Sequence, residues 1–333
     1  MTFAIAILNH NGSVLLKRFL SKVIENCQDA QIYIIDNKSS DDSIDFISKN
    51  HPEINIIELN ANYGYAEGYN EGVKLIAEDV IIFLNNDAVF LDKQSYNQIY
   101  KTFNSNDNIS IAQPRIIDYN NRNKYEYAGA SGGYIDLLGY PFCRGRIINN
   151  VESAEKYRTT REIFWASGAC FVIRRKIFNK LNGFDNDFFC HMEEIDLCWR
   201  LKNIDNDKKI VTIGKSQVFH IGGGTMQYDN PNKNYLNFRN SIMMLIKNLP
   251  LGYLAPVIIF RILFDLIILI FSFLTLNFNL SFSILKAYYY NLINFRINFL
   301  KRIKSKKSKK YYYCKSILIS YYLLGKKTFS SLK

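Results

Sequence analysis

Five short apolar runs punctuate the first 115 residues: Phe3–Leu8, Ile32–Ile35, Ile54–Leu59, Val80–Leu84 and Ile109–Ala112. Between them, Val14–Cys27, Asp41–Lys49 and Ala66–Ala77 carry apolar residues at helical spacing, with Leu15, Phe19, Val23 and Cys27 marking one face. Strands alternating with helices predict an α/β fold with a mostly parallel sheet covered on both sides. Ligands of such sheets lie beyond the carboxyl ends of the strands. Four of the runs end there in polar clusters: Asn9-His10-Asn11-Gly12, Asp36-Asn37-Lys38-Ser39-Ser40, Asn60-Ala61-Asn62-Tyr63-Gly64 and Asn85-Asn86-Asp87. One cluster alone reads as a turn or helix cap; four together predict a binding rim.

Residues 116–248 are less regular, with glycine and aromatic residues spread through Tyr125–Tyr140 and denser motifs from Trp165 onward. From about residue 249 the chain changes character. Gly252–Leu276 is strongly apolar but interrupted by Arg261 and Asp265, which share a helical face. The uninterrupted stretch Leu266–Leu276 falls short of the roughly 20 residues a spanning helix needs. The pattern divides the chain into 1–115, 116–248 and 249–333.

Charge sharpens that division. The chain of 333 residues carries a net charge of +12, yet after Asp265 there are thirteen Lys/Arg and no acid, so the body is close to neutral. A basic appendage rich in Phe, Leu and Tyr, including the Lys301–Lys310 cluster, suits helices in the interface of an anionic membrane rather than a nucleic-acid groove. A spanning hairpin remains the other reading. The six cysteines form no CxxC pair, and Met1–Leu8 has neither a basic n-region nor a cleavage site. A reducing cytoplasm and no secretory leader are therefore expected.

Several residues invite chemistry. Asp36, at a strand end, can accept hydrogen bonds from a nucleobase or ribose, with the cap of the following helix assigned to Ser40 or Asp41. Asp87 stands where a diphosphate would lie and can offer oxygen to Mg²⁺ or Mn²⁺. Trp165-Ala166-Ser167-Gly168-Ala169 allows close backbone approach. Glu193, Glu194 and Asp196, framed by Phe188, Phe189 and Trp199, crowd three acids where they must meet a cation or share a proton. Either glutamate could acquire a raised pKa and act as a base. His220 ends an apolar strand beside Gly222-Gly223-Gly224, as a metal ligand or as a structural histidine.

The order and spacing of six motifs resemble family 2 inverting glycosyltransferases, within them the rhamnosyltransferase-like group of bacterial surface polysaccharide synthesis. The motifs are Leu8–Gly12, Ile35–Asp41, Asn62–Gly72, Leu84–Asp87, Ser167–Ala169, and Gly183–Asp185 with Glu193–Asp196. The resemblance implies a GT-A fold, a Rossmann-like nucleotide-binding sheet fused to an acceptor-binding half, here with a C-terminal membrane-associated helical tail. It implies transfer of a sugar, rhamnose among the candidates, from a nucleotide-diphosphate donor to a saccharide acceptor; the membrane-associating tail adds the expectation of an acceptor on a lipid carrier, presented at the cytoplasmic face of the plasma membrane. By the same likeness Asn9, Asn11, Asp36, Asn62, Gly64, Asn70, Asn86, Ser167 and Gly168 would line the donor. Asp87 and His220 would hold Mg²⁺ or Mn²⁺, and Glu194, with Glu193 as its rival, would be the base. The sequence departs from the pattern in Asn85-Asn86-Asp87, which lacks one acid of a DXD motif, in Glu67 and in Glu194. A non-catalytic membrane-bound nucleotide-sugar scaffold and a sugar nucleotidyltransferase are the rival readings. Deleting residues 250–333 is expected to release the protein from membranes with the nucleotide site still folded.

Overall fold

The computed structural model describes residues 1–127, 129–222, 231–303 and 310–332. The chain opens with β1 (Phe3–Asn9), α1 (Ser13–Asn26), β2 (Ala30–Asp36), α2 (Ser43–Asn50), β3 (Asn55–Glu58), α3 (Gly64–Val73) and β4 (Val80–Asn85). These elements lie within a few residues of the stretches that the apolar pattern predicts. The buried face of α1 is Leu16, Phe19, Leu20 and Val23, so Leu15 sits at its edge rather than its centre. A short β5 (Ala88–Val89) and α4 (Lys93–Ser105) follow. Helix α4 is polar overall and buries only Ser95, Tyr96, Ile99 and Phe103, and its N-terminus is capped by Asp92, whose carboxylate accepts from the Ser95 N–H. That weak apolar signal is why it escapes a reading of apolar runs.

Strand β6 (Ile109–Asp118) leads into a small antiparallel sheet of β7 (Gly133–Ile135), β8 (Pro141–Cys143), β9 (Arg146–Ile147) and β10 (Asn150–Val151). Then come β11 (Arg161–Glu162), β12 (Cys170–Arg174), α5 (Arg175–Lys180), α6 (Glu193–Ile204) and β13 (Lys209–His220). The main sheet has the order β11-β13-β6-β12-β4-β1-β2-β3, with β5 paired to β13. Strands β1 to β4 are mutually parallel, whereas β12 inserts antiparallel between β4 and β6. Ile81, Ile82, Phe83 and Phe171 are fully enclosed at its centre; burial of each such side chain contributes roughly 1.5–3 kcal/mol.

Register fixes the rim. Asn9 pairs with Asp36, Leu8 with Asn85, and Asp36 with Glu58, so those strand ends stop at one level. Because β12 is antiparallel and Cys170 lies opposite Leu84, the preceding loop Ser167–Ala169 is delivered to the same edge.

The C-terminal region comprises α7 (Pro231–Asn248), α8 (Leu251–Leu274), α9 (Phe278–Ile293), α10 (Phe295–Leu300) and α11 (Ile317–Tyr322). Helix α8 is a single 24-residue element, long and apolar enough to cross a membrane by length and composition. Its two charges do not face outward: Arg261 and Asp265 are 2% and 1% exposed. Asp265 accepts from the hydroxyls of Tyr140 (3.1 Å) and Tyr288 (2.8 Å), while Arg261 bonds Ser241 Oγ and stacks on the Tyr140 ring. The last stretch folds back onto the small sheet. Tyr313 N–H donates to Ile135 O, Ile317 N–H to the Asp136 carboxylate, and Phe329 packs on Tyr134 while its N–H meets Glu152. Residues 304–309 of the lysine cluster lie outside the described residues.

Candidate functional site

On the donor side, two asparagines organise the rim from within. Asn9, fully buried, donates to Asp36, Ser39 and Ser43 at 3.3, 3.1 and 3.0 Å and accepts from Asn86 Nδ2. Asn37 Nδ2 donates to Asn62 Oδ1 and Gly64 O, and its Oδ1 accepts from Tyr63 N–H. Asn11, at φ 50°, accepts from Ser40 N–H at 2.7 Å and so ties the β1–α1 and β2–α2 loops together. The β2–α2 loop and the end of β3 border a cavity of about 290 Å³ lined by Asp36, Lys38, Ser39, Asp41, Asp45 and Glu58.

Several predicted donor contacts are committed elsewhere. Both ends of the Asn9 amide are used inside the protein, so it aligns the neighbouring loops instead of meeting a ligand. The Asn70 amide is likewise spent on Phe184 O, Phe184 N–H and Asn186 Oδ1, away from the rim. Asp36 is 4% exposed and accepts from Ser39 N–H (2.9 Å), Ser39 Oγ and Asn9, so much of its acceptor capacity is spent within the protein, yet it still lines the cavity. The N-cap of α2 is Asp42 rather than Ser40 or Asp41, although Asp41 Oδ1 accepts from Ser43 N–H just ahead of it. Gly64 is required by packing: its φ is +72°, and a Cβ there would meet the Phe189 ring at 2.5 Å. Gly168 is pressed against the Tyr65 hydroxyl, and Ser167 N–H is held by Gln113 Oε1.

Pairing of His220 with Ala88, and of Ile221 N–H with Asp87 O, brings together residues far apart in the chain. His220 Nε2 lies 2.9 Å from Asp87 Oδ1, and Nδ1 lies 3.2 Å from Glu126 Oε2. All three side chains are buried. Neither Asp87 Oδ1 nor His220 Nδ1 makes an aligned hydrogen bond among the described residues, so these contacts are electrostatic. Burial alone would push the imidazole pKa down, but Asp87 and Glu126 outweigh it and raise it to about 10. Without a metal the two carboxylates hold the ring as imidazolium; an orphaned carboxylate oxygen facing its nitrogen fits Mn²⁺ or Mg²⁺ as a donor pair once the cation displaces that proton. Among the described residues no set of three or more His, Cys, Asp or Glu could hold a metal. Gly223, Gly224 and Thr225 lie outside the described residues.

The acid trio splits into two kinds. Asp196 is enclosed but salt-bridged to Arg200 (2.7 Å) and Lys247 (2.9 Å), and accepts from Asn248. Burial raises its pKa, yet the two cations more than reverse this. Among the described residues Glu193 and Glu194 meet no cation, and an oxygen of each lacks a hydrogen-bond partner. Burial, and the neighbouring Glu194, push Glu193 well above the usual carboxylate range. Burial also raises Glu194, to about 7, with the N–H groups of Ile195 and Gly168 pulling the other way. Glu193 is 3% exposed, whereas Glu194 is only partly buried and faces the Gly168 loop.

The turn before them is strained, with Phe189, His191 and Met192 all at positive φ (61°, 70°, 73°). Fully buried Asn240 on α7 holds it by donating to Phe188 O, Cys190 O and His191 O at 3.0, 2.8 and 2.7 Å. Glu126, Gln113, Lys247 and Asn240 carry no local signal in the sequence; only the need of three crowded acids for a cation hints at Lys247.

A family model described as glycosyl transferase family 2 matches residues 4–181, more than half of the chain. The chain belongs to that family. This glycosyltransferase is 24% identical over 249 residues to a low-salt glycan biosynthesis hexosyltransferase of Haloferax volcanii, covering 72% of the chain and 74% of that protein. It is 24% identical over 203 residues to the N-acetylglucosaminyl-diphospho-decaprenol L-rhamnosyltransferase of Mycobacterium tuberculosis, covering 56% and 66%. Those two relatives are, by name, a hexosyltransferase and a rhamnosyltransferase. A structure of GalNAc-T7 with UDP, GalNAc and Mn²⁺ superposes with a TM-score of 0.56 at 18% identity, covering 74% of the chain. The glycosyltransferase spans about half of that chain's length (47%) and just under two thirds of the mycobacterial protein. Its fold is GT-A, as the motif order implies.

Proposed function

We propose that this glycosyltransferase moves a hexose, rhamnose among the candidates, from a nucleoside-diphosphate donor to a saccharide on a lipid carrier, with inversion at the anomeric carbon. The reading rests above all on the buried Asp87–His220 contact of 2.9 Å. Asp87 and His220 would hold Mn²⁺ or Mg²⁺, which when bound supplies positive charge to a departing diphosphate. Glu126, on the far nitrogen of His220, fixes the ring so that Nε2 faces Asp87. Glu194, with its pKa near neutrality, is suited to take the proton from the acceptor hydroxyl, while Glu193 stays protonated beneath it. Attack by that oxygen on the face opposite the leaving group inverts the centre.

In this scheme residues 1–115 bind the nucleotide, 116–248 bring the acceptor to Glu194, and 249–333 attach the enzyme to the cytoplasmic face of an anionic membrane. A lipid-linked acceptor agrees with that attachment and with the decaprenol-linked substrate in the mycobacterial relative's name. The test is turnover of UDP-, dTDP- and GDP-sugars with Mn²⁺ and a lipid-diphosphate saccharide. Asp87→Ala and Glu194→Gln should each abolish transfer. Binding of donor and metal without turnover across the whole panel would instead support a scaffold, and full activity of Glu194→Gln would remove it as the base.

A further inference from the structure

Helix α8 rests on protein along one stripe for nearly its whole length: Leu254, Val257, Arg261, Asp265 and Ser272 are buried. From its N-terminal end to its midpoint it meets the catalytic body: Leu254 and Val257 join the main core, and Arg261 and Asp265 contact Tyr140 and α7. A helix crossing a bilayer could not keep its middle against an aqueous domain. Beyond Asp265, among the described residues, α8 leaves the body and pairs with α9, through Ser272 and Ser281 (2.8 Å). The tip is apolar and open to the outside: Phe273, Leu274, Leu276 and Phe278 are 60, 75, 73 and 44% exposed.

From Asp265 to the end of α8 the rise is about 15 Å at 1.5 Å per residue, half of a hydrocarbon core of about 30 Å. Lys286 and Tyr288–Tyr290 lie on α9 near the level of Asp265, as Tyr288 bonds its carboxylate, and suit a headgroup region. The charge of the region fits one occupant, an anionic leaflet, because thirteen basic and no acidic side chains follow Asp265.

We propose that the α8–α9 hairpin is a wedge that enters a single leaflet to about the bilayer midplane and returns, with the buried Arg261–Asp265 pair as its depth stop. This deepens the membrane attachment proposed above and does not depend on turnover.

Its depth can be read in full-length protein bound to vesicles of equal phosphatidylcholine and phosphatidylglycerol. The two native tryptophans are 6% and 1% exposed and so serve as a silent background. Tryptophan fluorescence of Phe273→Trp should be quenched several-fold more by lipids brominated near the acyl-chain ends than by lipids brominated near the headgroup. The Leu274→Glu/Leu276→Glu variant should partition at least tenfold more weakly in high salt, whereas Val14→Glu, on the exposed surface of α1, should bind as the parent does. Stronger quenching from the shallow position would mean a spanning or surface-lying helix and overturn the wedge. So would absence of quenching with tip substitutions that convert a dimer to a monomer, which would mean a second copy covers the face.

Discussion

Replacing Glu194 by glutamine should kill turnover and stabilise the fold, and the stabilisation should depend on pH. The carboxyl rises from an ordinary value of 4.5 to about 7 because burial disfavours its charged form. A carboxyl with a higher pKa folded than unfolded binds more protons in the folded chain. Stability therefore falls as pH rises from about 4.5 to about 7, and the full cost is present above that window. At 1.36 kcal/mol per pH unit the cost is on the order of 3 kcal/mol. Glutamine keeps the shape and an acceptor for the Gly168 N–H but cannot ionise. Urea unfolding can be followed by fluorescence of Trp199, which lies on the same helix. Wild type and Glu194→Gln should coincide near pH 4.5, and at pH 8.5 the variant should unfold at roughly 1 M higher urea, given an m-value of about 3 kcal/mol/M. Equal stability at both pH values, or a less stable variant at pH 8.5, would refute the claim that Glu194 is held against its preference for charge.

Two further substitutions separate support from chemistry. Lys247→Met would leave buried Asp196 and half-buried Asp185 with less compensation, and thermal unfolding should register a loss of about 3–5 kcal/mol, partly recovered by adding Asp196→Asn. Asn240→Ala should release the strained turn ahead of Glu193 and lower kcat about 100-fold, while calorimetry finds nucleoside-diphosphate and Mn²⁺ affinity unchanged.

The N-terminal strands and helices were legible because each is a local pattern, an apolar run or a four-residue interval ended by a polar turn. Helix α4 was not, since only Tyr96, Ile99 and Phe103 carry its buried face. Nor was the insertion of β12 beside β4, because pairing of Cys170 with Leu84 is decided by tertiary contact rather than by either segment. At the site, the pairing of Asp87 with His220 could only be guessed by likeness until β5 and β13 were seen to pair. Residue type also misled: asparagines at strand ends suggest ligand contacts, yet the amides of Asn9 and Asn70 are consumed in holding loops. Glu126 is an isolated acid in an irregular stretch, and nothing local marks it as the partner of His220.

The strap formed by Tyr313, Ile317 and Phe329 across the small sheet bears on the order of events during synthesis. Its partners Ile135, Asp136 and Glu152 emerge from the ribosome more than 150 residues earlier and wait uncovered until the strap arrives. In the interval the hairpin is made, so on the proposed attachment lipid engagement would precede closure of the sheet. Cutting the chain at residue 250 would accordingly expose Tyr134 and leave Asp136 and Glu152 without their backbone donors, a cost that a membrane-release experiment by truncation would report alongside lost anchoring.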